Sequence, residues 1–193
     1  MKGVIFNVLE AFVIEHHGED ALDDIIDATD LQTTEPFVGP GNYPAEDLLA
    51  LVGTASTMTG VAVPDLIRQY GRFAFAFLAD SVPTLMERFD GAGDFLLGLE
   101  SVIHTEVRKL DPNASPARFT TIQVSDDELD MYYESPFGLF TLVEGLLDGV
   151  GDWYSTPLTC EMIESEGTNA RFRIRFADAA LAPASTDAVA ADV

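Results

Sequence analysis

The sequence predicts an α+β fold: a helical amino-terminal half, then a carboxy-terminal four-stranded antiparallel sheet with helices. Two observations carry this. Through the first half, apolar residues recur at three- and four-residue spacing between Pro and Gly breaks. From Phe119 onward the pattern alternates instead, in the order hairpin, helix, hairpin, which suits an antiparallel sheet with a helix packed on it.

Taken in order, Ile5, Leu9, Phe12 and His16 mark a first helix, and a short second one spans about Asp20 to Ala28. Thr33 to Pro36 and Gly39 to Asn42 read as loop. Pro44 suits a first helical residue, and Leu48, Leu51, Val52, Ala55 and Met58 line one face up to a stop at Gly60. Pro64 opens the next helix, with Leu66, Ile67, Tyr70, Phe73 and Phe77. Phe73, Phe75 and Phe77 alternate as a strand would, but they follow strong helical patterning and are read as helix and core. Asp94 is the expected N-cap of a helix running to Leu110, which Asp111-Pro112 ends.

Phe119 to Val124 and Leu129 to Glu134 are expected strands. Ser135 as N-cap and Pro136 as first residue predict a helix, with Leu139, Leu142, Val143 and Leu146 on its apolar stripe. Leu158 to Ile163 and Ala170 to Phe176 form the second hairpin around Gly167, and Arg171, Arg173 and Arg175 give the last strand a wet face. Residues 1–176 are read as one domain, helical over about 1–62 and mixed over about 63–176. The Ala- and Asp-rich segment 177–193 is read as a disordered acidic tail.

The formal net charge of −23 makes nucleic acid and anionic membrane surfaces poor partners. It suits solubility in a salty interior as well as a partner with a basic face. Apolar runs fall far short of the roughly 18 residues of a membrane span, and Met1-Lys2-Gly3 does not open a signal peptide, so a cytoplasmic location is expected. The single cysteine, Cys160, cannot form an internal disulfide and is expected as a buried, inert thiol in a strand.

There are three histidines. His16 and His17 are adjacent, so on a helix their rings diverge by about 100° and a shared metal is disfavoured; they read as solvated surface. His104 sits mid-helix between Leu97 and Val107 at helical spacing, with Glu100 and Ser101 one turn earlier. That position fits a half-buried boundary residue. It also fits a haem ligand, which needs a neutral imidazole nitrogen facing an apolar slot and a bond holding the other ring nitrogen. Nucleophilic triads, Gly-rich phosphate loops and calcium-loop spacing find no match.

Several stretches together resemble the H-NOX (haem nitric oxide/oxygen binding, HNOB) family. Met1-Lys2-Gly3-Val4-Ile5-Phe6-Asn7-Val8-Leu9-Glu10 resembles its first helix, and Val102-Ile103-His104-Thr105-Glu106-Val107-Arg108-Lys109-Leu110 its proximal helix. Tyr133-Glu134-Ser135-Pro136-Phe137 resembles its Tyr-x-Ser-x-Arg signature, and Glu144-Gly145-Leu146-Leu147 the helix that follows. The resemblance implies a non-enzymatic gas sensor with haem b between the helical and mixed parts. His104 would be the iron ligand, and Tyr133 and Ser135 would bond the propionates. Ile5, Leu9, Ala74, Leu78 and Leu142 would form a distal wall with no hydrogen-bond donor. Leu142 stands where the oxygen-binding branch has a tyrosine. Nitric oxide and carbon monoxide are therefore the implied ligands, and a stable dioxygen complex is not.

By the family mechanism, nitric oxide weakens and breaks the iron–His104 bond and the proximal helix shifts. The signal would pass to a separate histidine kinase or cyclic-di-GMP enzyme. Two departures stand out. Phe137 replaces the signature arginine, which removes charge-assisted propionate bonds worth on the order of 1.5–3 kcal/mol each. Arg118 is one basic residue that could substitute. The family's usual proline against the haem falls nearest Pro116, with Ala117 at the aligned place. Only Cys160 matches the family's zinc ligands, so no zinc is expected. A haem-free relative, kept as an interaction or apolar-ligand module, is the alternative.

Overall fold

A computed structural model of the chain describes residues 1–110, 116–177 and 181. It falls into two compact units, Met1–Pro83 with Leu139–Val150, and Thr84–Gly138 with Gly151–Val193.

The first unit holds α1 (Gly3–His17), α2 (Glu19–Asp27), α3 (Ala45–Thr59) and α4 (Val63–Asp80), plus most of a later helix. Their apolar faces converge on one core that includes Phe6, Phe12, Ile25, Leu51, Leu66 and Tyr70, all at most 5 % exposed. The chain start is pinned to the loop before α3: the terminal ammonium donates to the Tyr43 carbonyl at 2.6 Å, and Lys2 bridges Asn42. Phe6 stacks on Phe37 with ring centroids 4.2 Å apart. Buried Asp47, in the first turn of α3, accepts the amides of Gln32 (2.8 Å) and Thr33 (3.1 Å) and the Thr33 hydroxyl (2.6 Å), so one carboxylate orders the α2–α3 connection. Pro44 sits one residue ahead of α3, Gly60 ends it in the left-handed conformation at φ 74°, and Pro64 lies in the first turn of α4. Phe73, Phe75 and Phe77 are helical as expected. Phe75 is core, Phe73 is half-buried and Phe77 is 42 % exposed.

The second unit opens with a short helix that the sequence pattern did not suggest, α5 (Pro83–Met86), of which Pro83 belongs to the first unit. The helix expected from Asp94 to Leu110 is three pieces: α6 (Ala92–Gly98), a π-helical turn (Leu99–His104) and α7 (Thr105–Leu110). Gly91, not Asp94, precedes the first helical residue, and Asp94 instead accepts the amide of Asp90 from within the first turn. The Asp111-Pro112 stop lies outside the described residues, as does the tail apart from residues 177 and 181.

Strands β1 (Arg118–Gln123), β2 (Glu128–Glu134), β3 (Leu158–Glu166) and β4 (Asn169–Phe176) form one antiparallel sheet in the order β1-β2-β4-β3. On one face Leu129, Met131 and Tyr133 of β2 and Phe172, Ile174 and Phe176 of β4 are buried. The other face carries the ion pairs expected of the arginine strand: Arg173 grips Asp130 through Nε (2.8 Å) and Nη2 (3.0 Å), and Arg175 bridges Glu128 and Glu161. Cys160 is half-buried in β3 rather than fully buried.

The helix between the hairpins, α8 (Phe140–Trp153), differs from expectation twice. It starts at Phe140 rather than Pro136: β2 runs to Glu134, a bend follows at Pro136 and Phe137, and Gly138 turns the chain at φ 61°. Its part up to Val150 groups with α4 rather than with the sheet. There the two backbones approach closely: a Cβ on Gly71 would lie 2.7 Å from the Leu142 carbonyl oxygen, and one on Gly145 would meet the Arg68 backbone. Arg68 closes the crossing with a two-point bond to Asp148 (2.6 and 3.0 Å).

Candidate functional site

His104 ends the π-helical turn of the second unit, and its side chain is 13 % exposed. Its Nδ1 lies 2.9 Å from Glu100 Oε2. A carboxylate only accepts, so Nδ1 carries the proton and donates it. Glu100 is itself held from two further directions, by Arg108 Nη2 at 2.8 Å and by the Phe119 amide of β1 at 3.2 Å. Burial raises the Glu100 pKa, but these hydrogen bonds outweigh it and hold the carboxyl below its ordinary value. Burial lowers the His104 pKa, and the nearby carboxylate only partly offsets this, so the ring is a neutral imidazole at pH 7. Among the described residues Nε2 has no hydrogen-bond partner.

From His104 a row of rings runs across the sheet edge. Its centroid is 5.7 Å from Phe119, and Phe119 is 5.5 Å from Tyr133. Tyr133 is 3 % exposed on the buried face of β2, and Ser135, 8 % exposed, follows at the two-residue strand period. The Ser135 amide donates to Asn169 Oδ1 at 3.4 Å, and its Oγ accepts the Phe137 amide at 3.2 Å. A hydroxyl that accepts still has its own proton to give, so Ser135 can donate to an anion. It would do so without a helix dipole behind it, since α8 begins five residues later. Phe137 is 41 % exposed, and Arg118 is exposed with no ion pair among the described residues.

The five residues of the implied distal wall lie together in the first unit. Leu9 and Ala74 belong to its core, and Ile5, Leu78 and Leu142 pack against it. None carries a side-chain donor. The Tyr70 hydroxyl in the same core is spent on the Ile5 carbonyl at 2.7 Å, and burial holds its pKa above the ordinary phenol range. His16 and His17 are exposed, and His16 bonds the Phe12 carbonyl through Nδ1. Among the described residues no group of three or more His, Cys, Asp or Glu is placed to hold a metal ion. A single-histidine ligand is a different donor set. The surroundings of His104 fit one at the iron side: a neutral ring, one nitrogen anchored and the other open.

A family model described as Haem-NO-binding matches residues 2–162. The chain belongs to the H-NOX family. Solved H-NOX structures share its fold. An H-NOX protein from K. algicida, solved as Fe(II) unliganded, is 27 % identical, with 92 % of this chain and 97 % of that one covered and a TM-score of 0.80. An H-NOX protein from S. oneidensis in the Fe(II)NO ligation state is 23 % identical, with 92 % and 100 % covered and a TM-score of 0.84. An NMR structure of an S. oneidensis H-NOX domain in the Fe(II)CO state is 24 % identical, with 91 % and 98 % covered and a TM-score of 0.82. No curated protein gives a significant match. H-NOX domains are haem-binding gas sensors rather than enzymes. No single helix among the described residues is long and apolar enough to cross a membrane.

Sequence reasoning singled out His104, Tyr133 and Ser135, and the structure brings them into one neighbourhood of the second unit. Sequence reasoning placed Glu100 one turn before His104 without giving it a role, and it gave none to Arg108 or Phe119. The signal for Glu100 was present in its four-residue spacing from His104 on a helical segment. The contribution of Phe119 depends on strand placement and leaves no local trace.

Proposed function

We propose that this chain is a nitric oxide sensor in which His104 Nε2 ligates the iron of haem b. The observation that carries this reading is the His104 ring itself: half-buried, neutral, anchored at Nδ1 and without a hydrogen-bond partner at Nε2 among the described residues. Haem b, when bound, supplies a ferrous iron able to take a diatomic gas. The hydroxyls of Tyr133 and Ser135 donate to the propionates. Ile5, Leu9, Ala74, Leu78 and Leu142 exclude water and offer no donor. Bound dioxygen is polar and gains from a donor, whereas nitric oxide and carbon monoxide need one much less, so the wall favours those two gases. The S. oneidensis proteins solved with NO and CO support the ligand class. Signalling from a cytoplasmic domain to a separate histidine kinase or cyclic-di-GMP enzyme rests on the family resemblance.

The exposed Phe137 favours a second reading, a haem-free module, because it gives a propionate no partner. One experiment separates the two. Protein reconstituted with haem b should show a Soret band that shifts on adding nitric oxide, and His104→Ala should lose the histidine-ligated spectrum. A protein that takes up no haem, or a spectrum indifferent to His104→Ala, refutes the sensor reading. A persistent oxygenated spectrum in air refutes the selectivity.

A further inference from the structure

We propose that Glu100 is a positioning residue for His104, fixing which ring nitrogen is open and how strongly it donates. The inference rests on the reading of His104 as ligand and deepens it.

The geometry is specific. Glu100 stands one turn before His104, and its Oε2 receives both the imidazole Nδ1–H at 2.9 Å and the Phe119 amide at 3.2 Å. Its Oε1 receives Arg108 Nη2 at 2.8 Å. A carboxylate held from three sides has little freedom to rotate away from the ring. The Phe119 amide belongs to β1, and the Phe119 ring lies 5.7 Å from the imidazole. Glu100 therefore ties the π-helical turn to the sheet at the point where the ring must be oriented. The π-helical turn contributes as well: the Thr105 hydroxyl bonds the Glu100 carbonyl at 3.2 Å, which fixes the backbone that carries the carboxylate.

Two consequences follow from elementary chemistry. With Nδ1 protonated and engaged, Nε2 is the nitrogen with the free lone pair, so the tautomer is set before any ligand arrives. An anionic acceptor on Nδ1–H also pushes electron density into the ring and makes Nε2 a stronger donor. A sensor that works through its histidine ligand would have the strength of that bond set by Glu100.

The test uses Glu100→Gln, which keeps the shape and removes the charge, and Glu100→Ala, with Lys109→Ala as control, since the exposed Lys109 pairs with Glu106 rather than Glu100. In haem-free protein, ¹⁵N-detected NMR of the ring should show His104 as the Nδ1–H tautomer. Glu100→Ala should shift it toward Nε2–H. In ferrous protein reconstituted with haem b, the iron–histidine stretching frequency should fall in Glu100→Gln and further in Glu100→Ala. Haem loss to apomyoglobin should quicken about tenfold, the low end of what loss of such an outer partner costs. Lys109→Ala should keep the wild-type frequency, because it touches neither Glu100 nor its three hydrogen bonds. Unchanged tautomer and frequency in both Glu100 variants overturn the proposal. So does a Lys109→Ala shift as large as that of Glu100→Gln, which would make the role merely structural. Should the wild type bind no haem, the ligand reading fails, and the haem-free NMR result still decides whether Glu100 sets the tautomer.

Discussion

Gly71→Ala tests the close crossing of α4 and α8, where the Glu144-Gly145 motif sits. A methyl added at Gly71 would lie 2.7 Å from the Leu142 carbonyl oxygen and 3.0 Å from both Gly145 Cα and Leu146 N. Carbon–oxygen contact begins near about 3.3 Å, so the helices must separate by roughly 0.6 Å. All three opposing atoms are backbone, and no side chain can swing aside to absorb the change. Overpacking of this kind costs about 1–3 kcal/mol, and alanine returns up to about 1 kcal/mol through helix propensity. The net is a destabilisation of about 1–2 kcal/mol, or roughly 2–8 °C in Tm for a chain of this size. Gly53→Ala, in the middle of α3, is the control, since its new methyl meets nothing within 4 Å and should raise Tm. Thermal melts by circular dichroism of the three proteins decide it. If Gly71→Ala melts at or above wild type, the crossing is not backbone-limited and the reasoning fails.

Asp47→Ala leaves two amides and a hydroxyl of the α2–α3 connection without their acceptor, so urea denaturation should show a loss of about 3 kcal/mol, with Asp47→Asn losing less because one acceptor oxygen remains. The Arg173 fork holds the Asp130 carboxyl below the usual carboxylate range. Its stabilisation is therefore fully present above the ordinary value of about 3.9 and is lost as pH falls through the lower folded value. Tm measured from pH 5 down to pH 2.5 should fall less steeply in Asp130→Asn than in wild type. Phe137→Arg should slow haem loss by about tenfold or more if the guanidinium reaches a propionate, since 1.4 kcal/mol is a factor of ten, and an unchanged rate would show that it does not.

The elements that could be read from sequence were those whose ends are chemically marked. Gly60 and Pro64 bracket the α3–α4 turn, and the alternating arginines of β4 face their carboxylates as the two-residue period requires. The π-helical turn could not be read. A helical apolar period runs unbroken from Asp94 to Leu110, and what accompanies the change of winding is tertiary: the Phe89 ring crowds Gly98, and Glu100 is drawn toward the Phe119 amide. The value of His104 was likewise half visible. Its place on the helix could be read, but its burial and its anchored nitrogen depend on a strand that begins fourteen residues later.

Ser135 rests on the family resemblance alone, because the helix-start argument beside it fails. Ser-Pro is a strong helix-start signal, and a helix start would have offered an anion both a dipole and open amides. The chain instead bonds the Ser135 amide to Asn169, spends the Ser135 oxygen on the Phe137 amide and turns at Gly138, so α8 starts too late to help. With Phe137 in the arginine's place as well, both usual sources of positive potential at a propionate are missing, in a chain whose net charge is −23. On the sensor reading, hydroxyl donation from Tyr133 and Ser135 contributes roughly half as much as a charged bond, with Arg118 the basic side chain that could supplement it. On the sensor reading, cofactor retention then falls mainly on the His104 bond and on apolar burial. The one interaction that strengthens His104, its bond to Glu100, would matter more here than in a relative that keeps the arginine.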